Sequence, residues 1–441
     1  MEMKDEEIME ILTDWNLWEK DMDSGLPREA YVKKAESALK SGMIAAITGP
    51  RRAGKSYIMR QAMKRAAEAH GKNSVLFINM EDARWKDYNP DIIMKAYEVY
   101  EKVMKPESRP VVFIDEVHRI SGWERPVRTL HELGKADIMI SGSSRKLLGK
   151  EFSSLLTGRH INIPVFPLGF SELLSFSGIK AGTHAERVLN KRKINDAAGE
   201  YLEWGGFPLV VLNRNRKEIL MEYFEDIIQN DIIERHVIKE TKKLRALAKF
   251  YMSNPASPIT FQSAGRFLGI PASTVERFSL WMEEAYMIFF VSRFSHGLKE
   301  QENSPRKVYS IDNGLSSAIG FRTGANLGKF TENLAALRLK MEQNENPGLE
   351  VFYWKDSAQR EVDFVLKEGI VIVQLIQVSY NVMDPLTKER EIKALLSASG
   401  ELKCDNLTLI TWDNEASENI GGKTVKFIPL RKWLLDGSAS S

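Results

Sequence analysis

MIAAITGPRRAGKSYIM, residues 43–59, is the stretch on which the fold turns. Met43 to Thr48 is a short apolar run of the kind that forms a buried parallel strand. It leads into Gly49, Pro50, Arg51, Arg52, Ala53, Gly54, Lys55 and Ser56, the P-loop pattern GxxxxGK[ST]. Ile58, Met59, Ala62, Met63 and Ala66 then recur at helical spacing. Strand, glycine loop and helix form the context this motif requires. Glycines let the backbone wrap a phosphate, so that successive N–H groups point at one anion. The new helix adds its positive N-terminal end. The binding stretch is expected to run from Gly49 to Tyr57, with Lys55 reaching the β- and γ-phosphates of ATP and Ser56 holding Mg2+. The bland alternative, a Gly-rich turn that binds nothing, has to explain both the Lys-Ser pair in register and the correct flanks.

Working outward, Val75–Asn79 is a second strand, and Val111-Val-Phe-Ile-Asp115-Glu116 a third that ends in two carboxylates. This is the Walker B pattern. A buried strand delivers Asp115 beside the loop, where it would hold the Mg2+ shell, and Glu116 is expected to polarise an attacking water. Asp137–Ser141 is the next strand, and Gly142-Ser143-Ser144 ends it. Ser143 is the expected polar contact to the γ-phosphate or the water, with Ser144 next; a plain strand-end turn is the alternative.

These three motifs together resemble the AAA-plus ATPases. Leu156-Thr-Gly158-Arg159, Phe166-Pro-Leu-Gly-Phe170-Ser-Glu172-Leu and Trp204-Gly-Gly-Phe207-Pro208 further resemble one prokaryotic group, abundant in archaea. That group joins an AAA-plus core to a winged helix and a C-terminal nuclease-like domain, and the resemblance covers nearly the whole chain. It implies an α/β fold with a P-loop core, a helical lid, a winged helix and a restriction-endonuclease-like unit. It also implies ATP and Mg2+ as cofactors, a homo-oligomer, and Arg159 as a finger on a neighbour's γ-phosphate; a surface or cis phosphate contact is the alternative for that arginine. Arg51 and Arg52 would touch phosphate or a partner, or face solvent.

The 441 residues are 43% hydrophobic, enough for large cores, and the length suggests roughly three domains. Net charge is +2, but residues 1–23 hold nine acidic and two basic side chains, a net −7 that leaves +9 on the remainder. That balance is compatible with an anionic partner. One cysteine, Cys404, excludes an internal disulfide framework and fits a reducing compartment. There is no basic-then-apolar pattern at the start, and no apolar run approaches the roughly 20 residues of a membrane span, so a cytoplasmic protein without membrane contact is expected.

The expected segments are an acidic amphipathic helix at 1–24, the ATPase core at 25–175, the lid at 176–245, a winged helix-turn-helix at 246–325, a nuclease-like α/β unit at 326–436 and a disordered tail at 437–441. Tyr223–Val237 reads as one amphipathic helix of the lid. Two helices around Gly269-Ile-Pro271 read as helix-turn-helix. Beside them lies a basic run, Lys239, Lys242, Lys243, Arg245 and Lys249. With Ser273, Thr274 and Arg277 outward on the second helix and Lys299, Arg306 and Lys307 on the wing, these residues form a candidate DNA interface, for branched or recombining DNA among others. A winged helix used for protein contacts is the alternative. In the last unit Glu332 and Asp363 match two metal ligands of active nucleases. Gln377 and Ser379 stand where a glutamate and a lysine are needed, so the site reads as vestigial and nuclease activity as unlikely.

Overall fold

A computed structural model describes residues 3–86, 89–143, 156, 158–236, 238–295, 297–320 and 327–437. Ser144, Thr157, most of the expected linker at 322–329 and the tail beyond Gly437 lie outside the described residues. The chain divides into two compact units, Met1–Val165 with Glu284–Tyr286, and Phe166–Glu283 with Met287–Ser441. The expected segments are finer than this division.

The first unit is built on five parallel strands: β1 (Ile44–Thr48), β2 (Val75–Asn79), β3 (Val111–Asp115), β4 (Asp137–Gly142) and β5 (His160–Pro164), in the order β2-β3-β4-β1-β5. Every residue of β1, β2 and β3 is buried, because a parallel sheet is covered on both faces. Alternate side chains serve two cores. Ile44, Ala46, Leu76, Ile78, Val112 and Ile114 pack on one face with the helix Asp91–Met104. Ala45, Ile47, Val75, Phe77 and Phe113 pack on the other with the helix Lys55–His70. The acidic N-terminal helix, Asp5–Trp15, buries Ile8, Ile11 and Leu12 in the first core. Asn16, which follows it, pairs with the edge strand β2: its side chain donates to Phe77 O at 3.0 Å and accepts from Phe77 N at 2.7 Å.

The second unit opens with helices. Gly205 and Gly206 sit where nothing larger fits: a Cβ on Gly205 would lie 2.0 Å from Asp312 Oδ1, and its φ is +72°. Asp312 in turn accepts from Gly206 N at 2.6 Å and Gly314 N at 2.8 Å. The single helix expected over Tyr223–Val237 is corrected. An α-helix, Arg216–Asp226, passes into a π-helical turn, Ile227–Ile233, before Glu234–His236. Phe224, Ile227, Ile228 and Ile232 are buried as the amphipathic reading expects, and the π-helical turn adds Asp231 to them.

Three antiparallel strands follow, β6 (Ser257–Ile259), β7 (Ile288–Val291) and β8 (Arg306–Ser310), in the order β6-β8-β7. With them go the helices Thr241–Ser253, Phe261–Leu268 and Ala272–Glu284. Thr260 caps the second of these by accepting from Ser263 N at 3.0 Å, and Gly269 ends it in the left-handed region. The connection from β7 to β8 carries a short helix, Leu298–Asn303, rather than a bare loop.

The remaining sheet is mixed: β9 (Leu349–Lys355), β10 (Glu361–Glu368), β11 (Val371–Ser379), β12 (Leu407–Thr411), β13 (Ala416–Ile420) and β14 (Lys423–Pro429), in the order β13-β14-β12-β11-β10-β9. Helices Leu327–Glu345 and Pro385–Leu402 accompany it, the latter capped by Asp384, which accepts from Thr387 N at 3.0 Å. β13, β14 and a closing helix, Leu430–Asp436, are not anticipated by the sequence patterns. Among the described residues no helix is long and apolar enough to cross a membrane.

Candidate active site

β1 ends at Thr48 and the helix begins at Lys55, so the loop between them turns in six residues. Gly49 takes φ +146°, where a Cβ would meet Val165 O at 2.1 Å, and Gly54 takes φ +94°. Arg52 is held at φ +65°, a conformation that costs a non-glycine residue energy and that clusters at ligand-binding loops. Arg51 reaches Glu81 at 3.4 Å, and Tyr57 lies 42% exposed under the Arg60 guanidinium.

Lys55 is buried, and its ammonium folds back onto the loop, donating to Gly49 O at 3.2 Å and Pro50 O at 3.1 Å. Glu116 Oε1 lies 3.7 Å from it. β3 thus delivers its two terminal carboxylates to the base of the loop. Glu116 itself sits at φ +53°, so the backbone of this pair is also strained. The Ser56 hydroxyl lies beside Asp115 and favours its charged form. Burial, and then the neighbouring Glu116, push Asp115 up to about 6. Burial also favours the neutral form of Glu116, but Lys55, then His118 and Arg51, hold it well below the usual carboxylate range. His118 Nδ1 lies 3.1 Å from Glu116 Oε2. The pair is therefore split into a carboxylate that stays charged and one that titrates near neutrality.

Sequence reasoning chose Ser143 for the polar contact at the end of β4. Ser143 is buried, and Ser141, two residues earlier on β4, contacts the Asp115-Glu116 pair. Its hydroxyl donates to Asp115 Oδ1 and accepts from Glu116 N at 2.9 Å. The signal was available: β4 lies next to β3 in the sheet, and Ser141 is the one polar residue between the apolar run Ile138–Ile140 and Gly142.

Arg159 directly precedes β5 and pairs with Glu132 at 2.9 Å. The strand register sets His160 against Ile44 and Pro164 against Thr48, so Arg159 lies at the end of the sheet opposite its own loop. That placement sets aside a phosphate contact in cis.

The basic residues of the second unit are not all at the surface. Lys239, Lys242, Lys243, Lys249 and Arg277 are exposed, the last with its guanidinium over Trp281. Lys243 donates to Leu268 O, Arg245 pairs with Glu225, and Arg306 pairs with Glu302 at 2.6 Å. Lys307 corrects the expectation of an exposed wing residue. It is 1% exposed, because alternation along β8 turns it inward onto Glu332, Glu361 and Asp363.

Three family models match the chain: an AAA domain over residues 41–174, a domain of unknown function (DUF8612) over 195–328, and a second one (DUF4143) over 327–433. An uncharacterized protein of Methanocaldococcus jannaschii is 31% identical over 413 residues, which cover 89% of this chain and 88% of that one. An uncharacterized protein of Haemophilus influenzae is 27% identical, covering 81% and 87%. Among solved structures, the Walker-type ATPase PABY2304 of Pyrococcus abyssi aligns with 12% identity and a TM-score of 0.45, covering 69% of this chain and 99% of that chain.

Proposed function

We propose, from the premise that the chain belongs to the same family as the Methanocaldococcus jannaschii protein, that it is a Mg2+-dependent ATP hydrolase that holds DNA through the phosphates. The observation that carries the first half is the meeting of Lys55, Ser56, Asp115, Glu116 and Ser141 at one end of the sheet, inside the stretch that matches an AAA domain. A P-loop cation resting on loop carbonyls is free to exchange them for phosphate oxygens.

The hydroxyl of Ser56 and the carboxylate of Asp115, which lie side by side, are the hard oxygen donors that Mg2+ takes. They would hold the ion, whose chemistry is to neutralise charge on the β- and γ-phosphates. Lys55 carries the fixed charge on the loop side. Glu116, kept ionised by Lys55 and His118, orients the attacking water, and Ser141 fixes the backbone that aims it. Arg159 is assigned to the γ-phosphate of a neighbouring copy, which requires a homo-oligomer. Mixing Arg159→Ala with Glu116→Gln subunits should restore turnover at shared interfaces; a dead mixture whose subunits demonstrably exchange overturns the trans role.

For DNA, support comes from Lys239, Lys242, Lys249 and Arg277, exposed on or beside two helices joined by a tight glycine turn. Point charges with little base-reading equipment imply strong salt dependence and weak sequence preference. A shift panel of single-stranded, duplex and four-way DNA, with and without ATP, tests this. Absence of binding to every form at low salt would leave a nucleotide-driven protein-contact module as the reading.

A further inference from the structure

In the second unit, Lys307 on β8 is 1% exposed, donates to Glu332 and Asp363, and pairs with a third carboxylate, Glu361. Glu332, at 2.9 Å, comes from the helix Leu327–Glu345, and Glu361 at 2.7 Å and Asp363 at 2.8 Å come from β10. The Tyr353 ring lies 5.6 Å from the ammonium. Four chain segments therefore converge on one positive charge.

The positions around it are filled. Asp363 uses Oδ1 for Lys307 and accepts from Val378 N on Oδ2 at 2.9 Å. Glu332 Oε1 accepts from Tyr309 OH at 2.7 Å as well as from Lys307. Gln377 is turned to structural use at both ends: Oε1 accepts from Asp363 N at 3.1 Å and Nε2 donates to Glu391 at 2.6 Å. A divalent cation needs open carboxylate oxygens facing a common point. That common point is taken by the ammonium, so the residues do not fit a metal. Among the described residues no group of three or more His, Cys, Asp or Glu is placed to hold a metal ion in the chain as it stands, with the ammonium in place.

A second ammonium offsets part of the carboxylate charge that Lys307 leaves over. Lys355 reaches Glu361 at 3.5 Å, which sets two lysines against three carboxylates. Burial alone would strip Lys307 of its proton, but Asp363 and Glu332 hold its pKa well above the ordinary lysine value.

We propose that Lys307 is a built-in cation standing where a divalent metal would otherwise sit among Glu332, Glu361 and Asp363. The cluster is an internal ion lock that ties β8, the helix Leu327–Glu345 and β10 together, and it is closed to phosphodiester chemistry. Removing the ammonium leaves three carboxylates around an empty position, which is a divalent-cation site. The proposal is independent of the ATPase reading, because none of these residues belongs to the nucleotide site.

The test uses the full chain without nucleotide, with Mn2+ as the probe. Wild type, Lys307→Ala and Lys307→Gln are compared by thermal melting with and without Mn2+ and by equilibrium Mn2+ uptake. The expected result is no difference for wild type, and for either variant one added Mn2+ per chain or a rise in melting temperature that Mn2+ alone produces. Adding Asp363→Asn to the responding variant should erase the gain. Three results overturn the proposal: no Mn2+ response in either variant, Mn2+ uptake by wild type that Asp363→Asn abolishes, or metal-dependent nicking of DNA by wild type that is lost in Asp363→Ala.

Discussion

Lys55 and Lys307 are both buried lysines beside glutamates, and they do opposite things. Lys55 is 4% exposed, rests on two loop carbonyls and lies 3.7 Å from one carboxylate. Lys307 is 1% exposed and has three carboxylates within 2.9 Å. Carbonyls are neutral and the long ion pair is weak, so Lys55 gains by moving to an incoming polyphosphate. Lys307 has no better partner to move to. A buried charge is exchangeable when its present partners are neutral and structural when they already cancel it. The flanking geometry also differs: Arg52 and Glu116 of the first site have left-handed backbone, whereas the second is supplied by a helix and by β10 where its register against β9 shifts between Val362 and Val365.

The largest effect that sharpens this contrast is on chemistry. Glu116→Gln keeps the phosphate cradle and removes the water-orienting charge, so turnover should fall about 10²- to 10⁴-fold while ATP stays bound. Steady-state hydrolysis and nucleotide retention measure it, and unchanged turnover would break the assignment of the pair to catalysis.

Next is stability. Lys307→Met leaves Glu332, Glu361 and Asp363 buried without their partner and should cost about 3–5 kcal/mol. Lys55→Met loses two carbonyl hydrogen bonds and a long ion pair and should cost no more than about 2 kcal/mol in the absence of nucleotide. The same lysine change should abolish the stabilisation that ATP gives wild type. Denaturant melts with and without ATP read both, and equal costs at the two sites would erase the distinction.

A smaller effect tests the serine on β4. Ser141→Ala removes the bridge between Asp115 and Glu116 N and should slow hydrolysis about tenfold, the equivalent of about 1.4 kcal/mol. Ser143→Ala should slow it less. The reverse order would return the role to Ser143.

The smallest effect concerns the exposed lysines, which contrast with Lys307. Lys242→Ala with Lys249→Ala should flatten the dependence of DNA affinity on salt by up to about two units, at roughly 0.9 for each phosphate left without its lysine. Wild-type affinity and slope in the double variant would make that helix a solvated face.

The sequence by itself determined the strand, loop and helix of the P-loop pattern. Strand, loop, helix and the Asp115-Glu116 strand end are local patterns, and each residue's neighbours are set within one turn or along one strand. The helix-turn-helix reading survives as two helices around Gly269, for the same reason. Tertiary structure decided what depends on pairing between distant segments. The contact of Ser141 with Asp115 and with Glu116 N rests on β4 lying next to β3. The π-helical turn at Ile227–Ile233 depends on how that helix is buried. Lys307, charged and next to Arg306, looks like a surface wing residue in one dimension. Its burial is set by carboxylates 25, 54 and 56 residues further along the chain, which only the folded sheet and helix bring within reach of one ammonium.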